Sequence, residues 1–141
     1  MNPLDAETCM AAYIQTVSGI GGIVPVHTGT TAQDIEMDLS LVVAEAAEVE
    51  HTAGFLYLVT MNVALRSPAP AISLVTHSTR WGLINNALED LTAMATSFED
   101  TIASQDLQIA FAGRYVNSLT TTIEDRAWIS SASMNLGIAT I

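Results

Sequence analysis

From Phe55 to Arg66 the chain alternates without interruption. Phe55, Tyr57, Val59, Met61, Val63 and Leu65 take one set of positions, and Leu56, Leu58, Thr60, Asn62, Ala64 and Arg66 take the other. A period of two is that of an extended strand, so one face of this segment is apolar throughout and the other turns polar halfway along. Such a strand needs hydrogen-bonding neighbours, because an isolated ribbon is marginal in water. The preceding segment, Asp38 to Val49, starts in the same way, with Leu39, Leu41 and Val43 against Asp38 and Ser40. The two are expected to pair as an antiparallel hairpin. The tail of the first strand, EAAEVEH, fits either a strand or a very short helix.

SPAPA, from Ser67 to Ala71, carries two prolines and must end the hairpin. Beyond it, His77, Trp81, Ile84, Leu88, Leu91 and Ala95 recur at spacings of three and four. That period predicts a helix from about Leu74 to Met94, with Arg80, Asn86, Glu89 and Asp90 on its solvated side. An earlier helix is expected from about Leu4 to Ser18. Asn2-Pro3 forms its start, Asp5 and Glu7 lie near its positive end, and Gly19 with Gly21-Gly22 stops it. Ile23 to Gln33 reads as a long loop or an edge strand interrupted by Pro25. After a polar stretch around Ser97 to Asp106, strand patterning returns from Leu107 to Thr122. A turn over Ile123 to Arg126 follows, and a last strand carries Trp128, Ala132, Met134, Leu136 and Ile138 on one face. The expected architecture is one α+β domain over residues 1–141, with two helices packed on one face of a mostly antiparallel sheet of at least four strands.

Fifteen Asp and Glu stand against four arginines and no lysine, a net charge of −11. A surface that tracks nucleic-acid phosphates needs clustered cations, and Arg66, Arg80, Arg114 and Arg126 are far apart. The first ten residues have neither the cationic nor the apolar part of a signal peptide. The longest apolar run, Ala53 to Val59, is far too short for a membrane span. No membrane association is expected.

No arrangement of residues converges on a reaction. Glu45, Glu48, Glu50 and His51 offer carboxylates and an imidazole, which suit zinc or manganese, but their spacing matches no closed ligand set. A small metal-dependent enzyme using Glu48, Glu50 and His51, with His77 as a further ligand, is the alternative they leave open. The plainer reading is a solvated strand end before Gly54. Cys9, the sole cysteine, stands beside acids that raise a thiol pKa, so it is expected to be inert. Gly19-Ile20-Gly21-Gly22 follows a helix, whereas phosphate loops precede one. His77 lies on the apolar stripe of its helix and reads as a core residue. Trp128 reads as a core or interface anchor whose loss should be the most damaging in the chain.

Several segments in order suggest a family: the acidic strand ending AEAAEVEHTAG, the long strand LYLVTMNVALRSP, the helix HSTRWGLINNALEDL and the final strand RAWISSASMNL. From Asp5 to Ile138 this order of elements resembles the tail terminator, or tail completion, proteins of tailed bacteriophages. The resemblance implies a structural virion protein with no catalytic residues and no cofactor. It would be a homo-oligomer, a hexameric ring that is assembled in the host cytoplasm and sits in the tail or neck. Its partners would be the tail-tube protein and a head-tail connector or neck protein, and the genome would pass through without specific binding. A tail-tube or head-tail adaptor subunit is the nearest alternative. On this reading the acidic run Asp34, Glu36, Asp38, Glu45, Glu48 and Glu50 is the candidate lining of the channel, or else a solvated outer face. Leu56, Leu58 and Trp128 are the candidate subunit-interface or anchor positions. A soluble ligand-binding or adaptor module, using the sheet face as a groove, is a third possibility.

Overall fold

The computed structural model describes residues 2–29, 40–54, 56–68, 71–124 and 127–140, with backbone alone at Pro3 and over 115–124. A 3-10 turn over Pro3–Asp5 leads into α1, Ala6–Gln15. This helix ends earlier than the sequence suggests. The Thr16 hydroxyl donates to the Tyr13 carbonyl at 2.6 Å, and the chain then winds through turns that bury Ile20 and Val24. Gly21 makes this winding possible, since a Cβ at that position would collide with the Gln15 carbonyl oxygen. Gly21→Ala is therefore expected to cost about 1–3 kcal/mol of stability in denaturant titration, as a clash with backbone cannot be relieved by a rotamer change.

Five strands follow in the spatial order β1-β2-β3-β5-β4. They are β1 (Val26–Thr28), β2 (Leu41–Ala53), β3 (Leu56–Pro68), β4 (Ile109–Glu124) and β5 (Ala127–Thr140). The β1–β2 pair is parallel and the other three pairs are antiparallel. β1 begins just after Pro25, whose carbonyl accepts from Val42 N at 2.8 Å. The ambiguous EAAEVEH tail is strand. It stays in ladder with β3 as far as Ala53↔Leu56, past irregularities at Ala46/Glu48 and His51/Ala53, and Gly54 turns the chain with φ 55°. Likewise the β4–β5 ladder continues to Glu124↔Ala127, so Ile123 and Glu124 of the turn expected over 123–126 are strand, and Asp125 and Arg126 lie outside the described residues.

The helical part differs from expectation. The described residues form three α-helices where the sequence suggests two, because the run from Leu74 is cut at Asp90 into α2 (Leu74–Glu89) and α3 (Leu91–Ser104). The Asp90 carboxylate accepts from Ala93 N at 3.1 Å, which caps α3, and an Asp that bonds nearby amides in this way favours a break over a continuous helix. The break also resets the phase. Ile84 and Leu88 are buried on α2, whereas α3 buries Met94, Phe98 and Thr101 and leaves Leu91 exposed. The polar stretch around Ser97 to Asp106 is thus mostly helix. Within it Phe98 and Thr101 are buried, on the same side as Met94.

A single buried cluster joins the layers. It combines Val59, Met61, Val63 and Leu65 of β3, Met134, Leu136 and Ile138 of β5, and Met10, Ile14, Ile84, Leu88, Met94 and Phe98 of the helices. Tyr13 ties α1 to the α2–α3 junction, donating to the Ala87 carbonyl at 2.5 Å; burial there pushes its phenol pKa up, with the Asp90 charge adding to the effect. The Arg114 guanidinium donates to the Leu88 carbonyl at the same junction. No helix among the described residues is long and apolar enough to cross a membrane.

Candidate functional site

Three positions of the candidate channel lining, Asp34, Glu36 and Asp38, lie outside the described residues. The other three are on β2. Glu45 pairs with Asn62, Glu48 with Thr60 and Glu50 with Leu58. Since Met61, Val59 and their alternates enter the buried cluster, Asn62, Thr60 and Leu58 belong to the opposite face. The irregularity at Ala46/Glu48 keeps the acids in step. Without that extra residue, Glu45 on one side and Glu48 on the other would fall on different faces. All three are exposed.

The same face carries Leu56, Leu58, Thr60, Asn62 and Ala64 of β3, all half-buried, beside Ser131, Ser133, Asn135 and Gly137 of β5. Thr60 donates to Asn135 Oδ1 at 3.1 Å across the two central strands. Leu56 and Leu58 line a shallow cavity of about 330 Å³ with Thr52, Tyr57 and Gly137. Adjacent to it, a cleft of about 280 Å³ is bounded by Glu48, Val49, Glu50, Leu58 and Thr60.

His51 does not join its acidic neighbours. It pairs with Tyr57, so alternation puts it on the other face from Glu48 and Glu50. Its Nε2–H donates to the Gly54 carbonyl at 2.7 Å, and its ring lies tilted against Tyr57 with centroids 5.0 Å apart. Among the described residues no three His, Cys, Asp or Glu side chains are grouped as metal ligands. Cys9 is buried, and desolvation, with Asp5 adding to it, pushes its thiol up to about 11. A thiol held in that state is a poor nucleophile at neutral pH.

His77, expected to be a core residue, is fully buried, and sequence reasoning missed what holds it. Nδ1 stands 2.8 Å from Ser67 Oγ on β3, and Nε2 stands 2.8 Å from Ser130 Oγ on β5. A neutral imidazole has one donor and one acceptor nitrogen, so it serves both hydroxyls in either tautomer. Burial lowers its pKa, and the Arg80 guanidinium one turn along α2 lowers it further. The group bolts α2 to two strands and has no exposed surface. Trp128 also acts as an anchor: half-buried, it donates from Nε1 to the Ile72 carbonyl at 2.9 Å just before α2 begins. It is nonetheless not the most deeply placed aromatic, since Phe98 is completely enclosed. The chain matches no family model and no curated protein.

Proposed function

We propose that the chain is a structural virion protein, a ring-forming tail terminator that caps the tail tube of a phage and joins it to the head or neck. The observation that carries this reading is the sheet face opposite the buried cluster. It is long, small-residue and polar along its centre, apolar at Leu56 and Leu58, and acidic along β2, and among the described residues no buried reactive group opens onto it. A face with this character suits contact with other chains. A protein that works by surface complementarity needs no more.

In the ring, most simply a hexamer, neighbouring subunits cover part of the sheet, and the tail-tube and neck proteins bind the two ends. The acidic stretch from Asp34 to Glu50 faces the channel and keeps the genome from adhering, while Trp128 holds the segment before α2 in place. A charge of −11 per subunit opposes closure, and salt screens that repulsion over about 8–10 Å. Assembly should therefore increase with salt, and duplex DNA should not bind even at low ionic strength. Light scattering over a salt series, with a gel-shift assay beside it, tests both. A strict monomer at every salt concentration, with or without the tail tube, contradicts the ring, and tight DNA binding at low salt contradicts the acidic channel.

A further inference from the structure

Among the described residues, the end of the β2–β3 hairpin has no strand on its outer edge. β1 covers β2 only as far as Ala44, and the next outward amide, Ala46 N, donates to Glu7 Oε2 at 2.9 Å. Glu7 thus closes the edge at that point. From Ala47 to Gly54 every residue is exposed, and among the described residues no strand pairs with the outer edge of β2 there. Alternation directs the backbone groups of Val49 and His51 outward, a free template for one more strand. Beside it, the cleft between Glu48 and Glu50 opens onto Leu58, which it shares with the apolar cavity at Leu56 and Gly137. An aliphatic stem laid over Leu58 with a cation between the two carboxylates fits this combination, which is the form of a lysine or arginine side chain.

A second copy of the chain is a poor occupant. It brings fifteen more carboxylates and no lysine. Of its four arginines, Arg80 donates to Ser40 Oγ at 3.4 Å, Arg114 donates to the Leu88 carbonyl, and Arg66 stands at the far end of β3 opposite Leu41. Arg126 lies outside the described residues. Glu48 and Glu50 themselves pair with no cation among the described residues. We propose that the outer edge of β2 from Glu48 to Ala53, with the Leu58 cleft, receives an extended segment of a different protein as an added strand, one that alternates apolar and cationic residues. About six residues, roughly 20 Å of strand, fill the edge. The inference does not rest on ring formation, since a monomer presents the same edge.

A blocked hexapeptide of alternating lysine and valine, titrated into isotope-labelled protein, tests it. Amide shifts should concentrate in residues 47–58. The double variant Glu48→Lys, Glu50→Lys should lower affinity about tenfold or more, because two attractions become repulsions. Glu89→Lys with Glu99→Lys, on exposed helix positions, makes the same change in net charge and should lower affinity less than about threefold. Equal losses in the two double variants, shifts centred elsewhere, or absence of binding would overturn the proposal. So would concentration-dependent broadening of residues 47–58 in the free protein, which would assign the edge to a second copy.

Discussion

Alanine in place of Phe98 is expected to cost about 3–5 kcal/mol, a large part of what a domain of this size has to lose. Phe98 has no exposed surface, and its ring meets that of Phe111 on β4 with centroids 4.9 Å apart and planes tilted by 54°. It is the largest side chain that α3 gives to the core. The chain is rich in alanine, so few bulky groups stand ready to collapse into the space. Urea unfolding followed by circular dichroism measures the effect. Trp128→Phe, which removes an indole hydrogen bond from a half-buried ring, should cost only about 1 kcal/mol. A loss at Phe98 no larger than that would mean that α3 does not seal the core.

His77→Ala should cost about 2–4 kcal/mol, because it opens a cavity and leaves the Ser67 and Ser130 hydroxyls without the imidazole between them. His77→Gln keeps an amide that can both donate and accept, and should lose distinctly less. The two variants also differ from the parent in pH dependence. The folded pKa lies below the unfolded value of 6.5, since burial first and Arg80 second disfavour the charged ring. The unfolded chain therefore binds the proton before the folded one does. Stability contributed by the neutral imidazole is complete above about pH 6.5 and falls as pH drops through the unfolded value towards the folded one. No ionisable residue of β5 offsets this, as β5 contains none, and the only cation of β3, Arg66, alternates to the opposite face from Leu65 and Ser67. Acidification also relieves repulsion among the carboxylates, which works in the other direction. The informative quantity is accordingly the difference between parent and His77→Gln, measured by denaturant titration at pH 7 and pH 5. A difference that does not change with pH would contradict the buried neutral ring.

The strands were legible because alternation is a local property. Val59 to Leu65 and Met134 to Ile138 display it directly, and the ladder between β3 and β5 keeps those residues together on one face. The start of α2 at Leu74 was legible from the apolar period, and Ser73, accepting from Thr76 N, caps it there. The break at Asp90 was not, since periodicity alone runs smoothly through Leu88, Leu91 and Ala95, and the capping choice is made by tertiary burial of Met94 and Phe98. Glu45, Glu48 and Glu50 could be recognised as acidic, but an irregularity at Ala46/Glu48, invisible in the pattern, decides that they share a face. For the same reason His51 looked like a companion to Glu50, whereas the ladder sends it to the other side. Nothing local to His77 points to Ser67 or Ser130, which lie 10 and 53 residues away.

On the proposed reading the chain is carried in phage particles, and quantitative mass spectrometry of such particles, purified, measures that role most directly. A ring that closes one tail predicts about six copies per virion, located at the end of the tube that meets the head. More than about a hundred copies would make the chain a tube subunit that stacks along the whole tail by repeated contacts, and its absence from the particle would contradict a structural role in the virion altogether.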